Sequence, residues 1–160
     1  MPVRVCFVCL GNICRSPTAE GVFLARVVAA GLQAEIQVDS AGTGAYHAGE
    51  PADRRSREEA ARRGVELPSI SRQFLPSDFA RFDHVLAMDT DNLRNLQRLP
   101  GADTFTGTLE LFRAHDPTAP AGASVPDPYY GGPQGFADVF DQCDRAAAGL
   151  LQHIRDTHGL

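Results

Sequence analysis

A short β-branched apolar run, Val3 to Val8, is followed within three residues by Gly11-Asn12 and then by Ser16-Pro17. This order constrains the fold more than any other feature of the chain. A brief run rich in valine reads as a buried strand. Gly-Asn ends it in a tight turn, and Ser-Pro, with Ser at the cap and Pro in the first turn, starts a helix. Ala19, Val22, Phe23, Val27 and Ala30 then recur on one helical face, and Gly31 ends it. The chain therefore opens with a strand that feeds a helix through a loop of only a few residues.

The same alternation continues. Ile36 to Asp39 reads as a second strand, followed by the loop Ser40 to Gly44. Pro51 to Arg63 reads as a charged surface helix ended by Gly64, and Phe82 to Met88 as a third strand. Asp89-Thr90-Asp91-Asn92 caps a short helix through Leu99, and Thr108 to Leu111 leads into a fourth strand. The proline-rich stretch from His115 to Gly135 reads as loop. A last helix runs from about Phe136 to Ile154, with Phe136, Val139, Phe140, Cys143, Leu150, Leu151 and Ile154 at the helical period. Strands alternating with helices predict an α/β fold, a parallel sheet with helices on both faces. The 160 residues suit one domain, 1–160. Ligands of such sheets bind beyond the carboxyl ends of the strands, where Cys9 stands.

The loop after the first strand carries the chemistry. Cys9 and Arg15 bracket Leu10, Gly11, Asn12, Ile13 and Cys14, between a strand and a helix N-terminus. Unpaired amides at a helix start suit a phosphate dianion. Gly11 and Asn12 tolerate the left-handed conformations that turn successive N–H groups inward. Arg15 offers a planar fork for two phosphate oxygens. The same positive field stabilises a thiolate at Cys9, and Ser16 is placed to hydrogen-bond it. A leaving alkoxide or phenoxide also needs a proton. Two Asp-Pro pairs offer one, Asp116-Pro117 and Asp127-Pro128, and spacing leaves both open. Asp127 is favoured because Tyr129-Tyr130 follows it and supplies a wall for a flat ring.

Bulk properties exclude several classes. The net charge of -5 argues against a nucleic-acid partner. All fifteen basic residues are Arg, which rules out Schiff-base chemistry and a lysine-dependent nucleotide loop. No apolar stretch is long enough to span a bilayer or to serve as a signal-peptide core, so no membrane partner and a cytoplasmic location are expected. Cys6, Cys9 and Cys14 cluster while Cys143 stands alone on the apolar stripe of the last helix, unlike a disulfide framework. Cys6-Phe7-Val8-Cys9 has redox-pair spacing, but Cys6 lies within the strand, where a buried role is expected. His47, His84, His115, His153 and His158 are scattered singly, without the paired spacing of zinc ligands, so neither metal nor cofactor is expected.

Val8 to Pro17, with Asp39-Ser40-Ala41-Gly42-Thr43 and Asp127-Pro128-Tyr129-Tyr130-Gly131, resembles the low-molecular-weight protein tyrosine phosphatases over essentially the whole chain. The resemblance implies a four-stranded parallel sheet and a phosphate-binding loop after the first strand. It implies metal-independent hydrolysis of phosphotyrosine proteins or small aryl phosphates through a phosphocysteine, with inorganic phosphate as an inhibiting product. By matching position, Cys9 is the nucleophile, Arg15 the phosphate clamp and Asp127 the general acid. Asn12 and Ser40 resemble the pair that braces the loop, and Ser16 the hydroxyl that tunes the thiolate. Leu10, Ile13, Tyr46, Tyr129 and Tyr130 fall where the family lines its substrate crevice. Cys14 is expected to form a reversible disulfide with oxidised Cys9. One position departs from the family: Ser69 stands where a His often precedes Arg72-Gln73. Two relatives of the same fold are the alternatives. A protein-arginine phosphatase tends to carry Thr at the position of Ile13 and to lack the paired tyrosines. An arsenate reductase needs relay cysteines, and none lies between Cys14 and Cys143.

Overall fold

The computed structural model describes all residues, 1–160. Four strands, β1 (Val3–Cys9), β2 (Ile36–Gly42), β3 (His84–Ala87) and β4 (Thr108–Leu111), form one sheet in the order β2-β1-β3-β4. Every neighbouring pair is parallel. β1 pairs with β2 from Val3↔Ile36 to Cys9↔Gly42, and with β3 from Val5↔His84 to Val8↔Ala87. The chain leaves β1 toward one edge and later returns to its other side. The crevice that such a reversal opens lies at the carboxyl end of β1, beside Cys9.

Four helices cover the sheet: α1 (Arg15–Ala29), α2 (Arg54–Arg62), α3 (Thr90–Gln97) and α4 (Pro133–His158). The period-two alternation of β1 divides the core. Val3, Val5, Phe7 and Cys9 face the larger cluster, packed with α1 and α4. Cys6 and Val8 face the smaller one, with Phe74, Phe79, Phe82 and Leu96. Cys6 and Cys9 therefore lie on opposite faces, which removes the redox-pair reading of their spacing. Phe7 is the keystone of the larger cluster. Its ring meets Phe23 edge-on at 5.5 Å and Phe112 at 4.9 Å, tying β1 to α1 and to the turn after β4. Burying one such ring is worth roughly 2 kcal/mol. Cys143 is fully buried on α4 within this cluster, as the apolar stripe implied.

Several expected boundaries move. β2 runs on through Ser40 to Gly42, because Ser40, Ala41 and Gly42 continue the ladder opposite Phe7, Val8 and Cys9. A side chain at Gly42 would meet the Leu10 carbonyl at 2.7 Å, so the close approach demands glycine. α1 begins two residues earlier than Ser-Pro suggested: Cys14 is its N-cap and Ser16 lies inside the first turn, its hydroxyl spent on the neighbouring loop. Pro17 still sits among the first four residues, where a missing N–H costs nothing. α2 starts at Arg54, capped by Asp53, whose carboxylate accepts the Arg55 amide at 2.8 Å. α4 extends beyond both expected ends, from Pro133 in its first turn to the left-handed Gly159. Its outer turns are polar and carry no apolar period to betray them.

The histidines depart most from expectation. Four of the five gather between the β3–β4 edge and α4. His84 Nδ1 lies 2.7 Å from Thr108 Oγ1, and its Nε2 3.0 Å from His158 Nε2. The His115 and His153 rings are 5.0 Å apart, and His115 Nε2 lies 2.6 Å from Glu110. These rings pair by hydrogen bonds and stacking; no three His, Cys, Asp or Glu donors converge on a metal position. No helix is long and apolar enough to cross a membrane.

Candidate active site

The loop between β1 and α1 turns all but one of its carbonyls outward. Cys9 O accepts from Thr43 N, Leu10 O from Gly44 N, Ile13 O from Asp53 N and Cys14 O from Thr18 N. Gly11 O accepts from Ser71 Oγ at 2.8 Å. None of the amides of Leu10 to Cys14 donates to another backbone group. The loop is thus fixed by its acceptors while its donors are kept free, which is the construction of an anion nest. Asn12, at φ 57°, is the one non-glycine residue with positive φ. Gly11 does not share that conformation, contrary to expectation. A Cβ there would lie 2.9 Å from the His47 ring, so a larger residue would have to displace that side chain.

Asn12 holds its strained backbone with its own side chain. Its Nδ2 donates to Ser16 Oγ at 2.7 Å and to Ser40 Oγ at 3.0 Å, and its Oδ1 accepts the Arg72 amide at 3.1 Å. Ser16 Oγ lies 3.1 Å from Cys9 Sγ. Ser40 Oγ in turn donates to Glu20 at 2.5 Å. Burial raises the Glu20 carboxyl above its ordinary range, opposed by hydrogen bonds from Ser40 and Ser69. Ser69, at the position where the family often has His, thus lies near Glu20 and favours its charged form. Glu20 was missed from the sequence, although its spacing of four from Ser16 puts both on one face of α1.

Arg15 is 3% exposed. Its Nη1 donates to Asp89 at 2.6 Å and to the Val125 carbonyl at 3.1 Å, and its Nη2 lies 3.7 Å from Asp127 Oδ2. Burial opposes the charge, but Cys9, Asp89 and Asp127 together hold the guanidinium above its ordinary pKa. Asp127 reaches the same crevice as Cys9. Asp116 does not: it is fully buried elsewhere, accepting from Thr118 and bonded to Arg145 at 3.3 Å.

The crevice has a volume of about 390 Å³. Cys9, Leu10, Gly11, Ile13, Cys14 and Arg15 form its floor, and Asp127, Tyr46, His47, Tyr129 and Tyr130 its rim. All the residues expected at the mouth are present. Tyr46 and Tyr130 are largely exposed, at 77% and 93%, so they stand as free walls rather than packed ones. The rings of Tyr129 and Tyr130 meet edge-on at 4.9 Å. His47 was not expected, because nothing in its surroundings in sequence marks it. Cys14 is buried at the end of the same loop, and burial pushes its thiol up to about 12 despite a hydrogen bond from Ser56. All four cysteines are free thiols.

Nest, thiol, guanidinium and carboxyl around one crevice define a cysteine-based phosphate-ester site. The family model for low molecular weight phosphotyrosine protein phosphatases matches residues 4–158. The chain belongs to that family and is a protein phosphatase of the hydrolase class. It is 47% identical to a low molecular weight protein-tyrosine-phosphatase of Streptomyces coelicolor, over 98% of this chain and 96% of that one. Among solved structures it is similar to a protein tyrosine phosphatase from Entamoeba histolytica, with 39% identity, TM-score 0.87 and 98% of both chains covered. It is also similar to a Drosophila arginine phosphatase, at 30% identity and TM-score 0.84, over 94% of this chain and 97% of that one.

Proposed function

We propose that this chain hydrolyses phosphotyrosine monoesters, in proteins or as small aryl phosphates, with Cys9 as nucleophile, Arg15 as phosphate clamp and Asp127 as general acid. The observation that carries the reading is the loop itself: amides without backbone partners and a buried Arg15 surround the Cys9 sulfur at the floor of an aromatic-walled crevice. The Cys9 thiolate attacks phosphorus in line. An S–P bond forms as the P–O bond breaks, and Asp127 gives its proton to the leaving phenolate. Water then attacks the phosphocysteine, Asp127 takes a proton from it, and phosphate leaves Cys9 as thiolate. The nest and Arg15 hold the equatorial oxygens in both steps and stabilise the transition-state charge. Ser16 and Asn12 keep the sulfur and the loop in register. The same cradle binds inorganic phosphate, which acts as a product inhibitor. No step needs a metal.

Leu10, Ile13, Tyr46 and Tyr129 set selectivity. A phenyl ring spans the crevice between the tyrosines and carries its phosphate to the floor, whereas the shorter phosphoserine leaves its phosphate high. Phosphoarginine is the competing substrate, given the similarity to an arginine phosphatase, and Ile13 with the paired tyrosines favours the aromatic one. A panel of phosphotyrosine, phosphoserine and phosphoarginine peptides tests this. Preference for phosphotyrosine that falls in Tyr129→Ala and Tyr46→Ala, with vanadate inhibition intact, supports the walls. Faster turnover of phosphoarginine overturns the substrate assignment. The four free thiols suit a reducing, cytoplasmic setting.

A further inference from the structure

Residues 126–131 carry Asp127 and both wall tyrosines; Pro128 is buried and Asp127 Oδ2 lies 3.7 Å from Arg15, but few hydrogen bonds hold the backbone. Within the segment, Gly131 N donates to Pro128 O at 3.1 Å and Tyr129 N to Asp127 Oδ1 at 3.0 Å. From the rest of the protein, one hydrogen bond reaches the backbone of residues 126–131: Arg55 Nη1 donates to Tyr129 O at 3.1 Å, and the next is Gly135 N to Gly132 O at the start of α4. Arg55 is itself fixed. Its Nε and Nη2 grip the two oxygens of Asp53 at 3.1 and 3.0 Å, a bidentate pair. Its guanidinium also lies 5.2 Å from the Tyr129 ring centre and 4.7 Å from that of Phe136 at the start of α4. Asp53, finally, donates its amide to Ile13 O at 2.8 Å, inside the phosphate loop.

These contacts form one continuous line. It runs from the Ile13 carbonyl to the Asp53 amide, from the Asp53 carboxylate to Arg55, from Arg55 to the Tyr129 carbonyl, and from the Tyr129 amide to the Asp127 carboxyl. We infer that Arg55 is a positioning residue for the general acid, locking the Asp127–Tyr130 segment to the phosphate loop so that the proton donor sits at a fixed distance from the bound phosphate. The inference rests on Asp127 being the acid. Arg55 does not line the floor and touches no reacting atom. Its charge is committed to Asp53, so its effect is geometric: general acid catalysis fails when the donor is misplaced by about an ångström. Oδ1 of Asp127 is occupied by the Tyr129 amide, which leaves Oδ2 to carry the proton. An uncoupled loop would let that carboxyl rotate.

A pair at the first turn of a surface helix is ordinarily a cap and nothing more, and the two roles separate by leaving group. kcat/KM is measured for Arg55→Ala and Arg55→Lys on a series of aryl phosphates, from nitrophenyl to unsubstituted phenyl. The loss in Arg55→Ala should be about tenfold greater for phenyl phosphate than for the nitrophenyl ester, because only the poorer leaving group needs the proton. Arg55→Lys, which keeps charge but not the fork, should fall between. Phosphate inhibition should change less than about twofold, since the nest is untouched. In an Asp127→Asn background, Arg55→Ala should not steepen the leaving-group dependence further. An equal loss across the series, or a further steepening in that background, overturns the role. Asp127→Asn alone, on the same series, tests the acid assignment itself; a flat response there removes the acid and Arg55's part with it. Arg55 is on the surface side of α2, 40% exposed in its side chain, so both variants can be checked for a native melting transition beforehand.

Discussion

Arg15 and Asp89 are joined at 2.6 Å, and the same carboxylate caps α3 through the Asn92 amide at 2.7 Å. One side chain thus orients the phosphate clamp and anchors the helix that follows β3. Asp89→Asn keeps the capping oxygen but loses the charge that holds Arg15. A charged hydrogen bond of this kind is worth about 1.5–3 kcal/mol. kcat/KM for aryl phosphates should fall by about ten- to a hundredfold and the phosphate inhibition constant should rise with it, while the melting temperature changes little. Unchanged phosphate affinity would mean Arg15 needs no such partner.

The two Asp-Pro aspartates should separate cleanly. Asp127→Ala should lower turnover of phenyl phosphate strongly and leave stability alone. Asp116→Ala should do the reverse. Although Asp116 is buried, hydrogen bonds from Thr118 and Arg145 hold its carboxyl below the ordinary range. Removing it takes the carboxylate from the largely buried Arg113 and the acceptor from Thr118, while the half-exposed Arg145 turns to solvent, at a cost of about 1–3 kcal/mol. Denaturant titrations beside steady-state kinetics of both variants check this. Equal kinetic losses would leave the acid unassigned.

Peroxide should convert Cys9 to the sulfenic acid, which Cys14 then attacks to form a 9–14 disulfide with loss of water. Cys14 is held near 12, so at neutral pH almost all of it is thiol. Its attack should therefore quicken about tenfold per pH unit between 7 and 9. Mass mapping of the oxidised protein reads the bridge. Cys14→Ser should be inactivated without recovery on reduction. A Cys6–Cys9 bridge would contradict the opposite-face placement of those residues.

The histidine cluster sets the acid limb of stability. Burial, with the nearby His158 and His153 charges, lowers the His84 pKa, against smaller opposite effects of Asp83 and Glu110. The folded state thus prefers neutral His84, while the unfolded chain binds a proton near pH 6.5. Its stabilising effect is present above that pH and is lost as pH falls through it. Unfolding free energy should drop between pH 7 and 5.5, with a contribution of at most about 1.4 kcal/mol per pH unit from this residue. His84→Leu should flatten that slope. An identical slope in the variant would assign the acid limb elsewhere.

The sequence made the β1–loop–α1 unit readable because local rules govern all of it: β-branched residues, Gly-Asn, and a helix start within fifteen residues. Cys9, Arg15 and Ser16 could be placed for the same reason. Glu20, Asp89, Asp53 and Arg55 were not read as site residues. They serve the site through contacts such as Arg55 to Tyr129, 74 positions apart, and Asp53, Arg55 and Asp89 also have an ordinary local role as a cap or a surface charge. The histidines failed as a reading for the opposite reason. Each looks solitary in the chain, and only the docking of α4 against the turn after β4, which sets His153 by His115 and His158 by His84, brings four of them together.

The central claim is that phosphate passes through Cys9. Protein mixed rapidly with an aryl phosphate, quenched within one turnover and mapped by mass spectrometry, should carry one phosphoryl group on the peptide containing Cys9. Asp127→Asn, slow to release it, should still show the group when a nitrophenyl ester is the donor. Cys9→Ser should bind phosphate and turn nothing over. Label on a different side chain, or sustained hydrolysis by Cys9→Ser, would contradict the account.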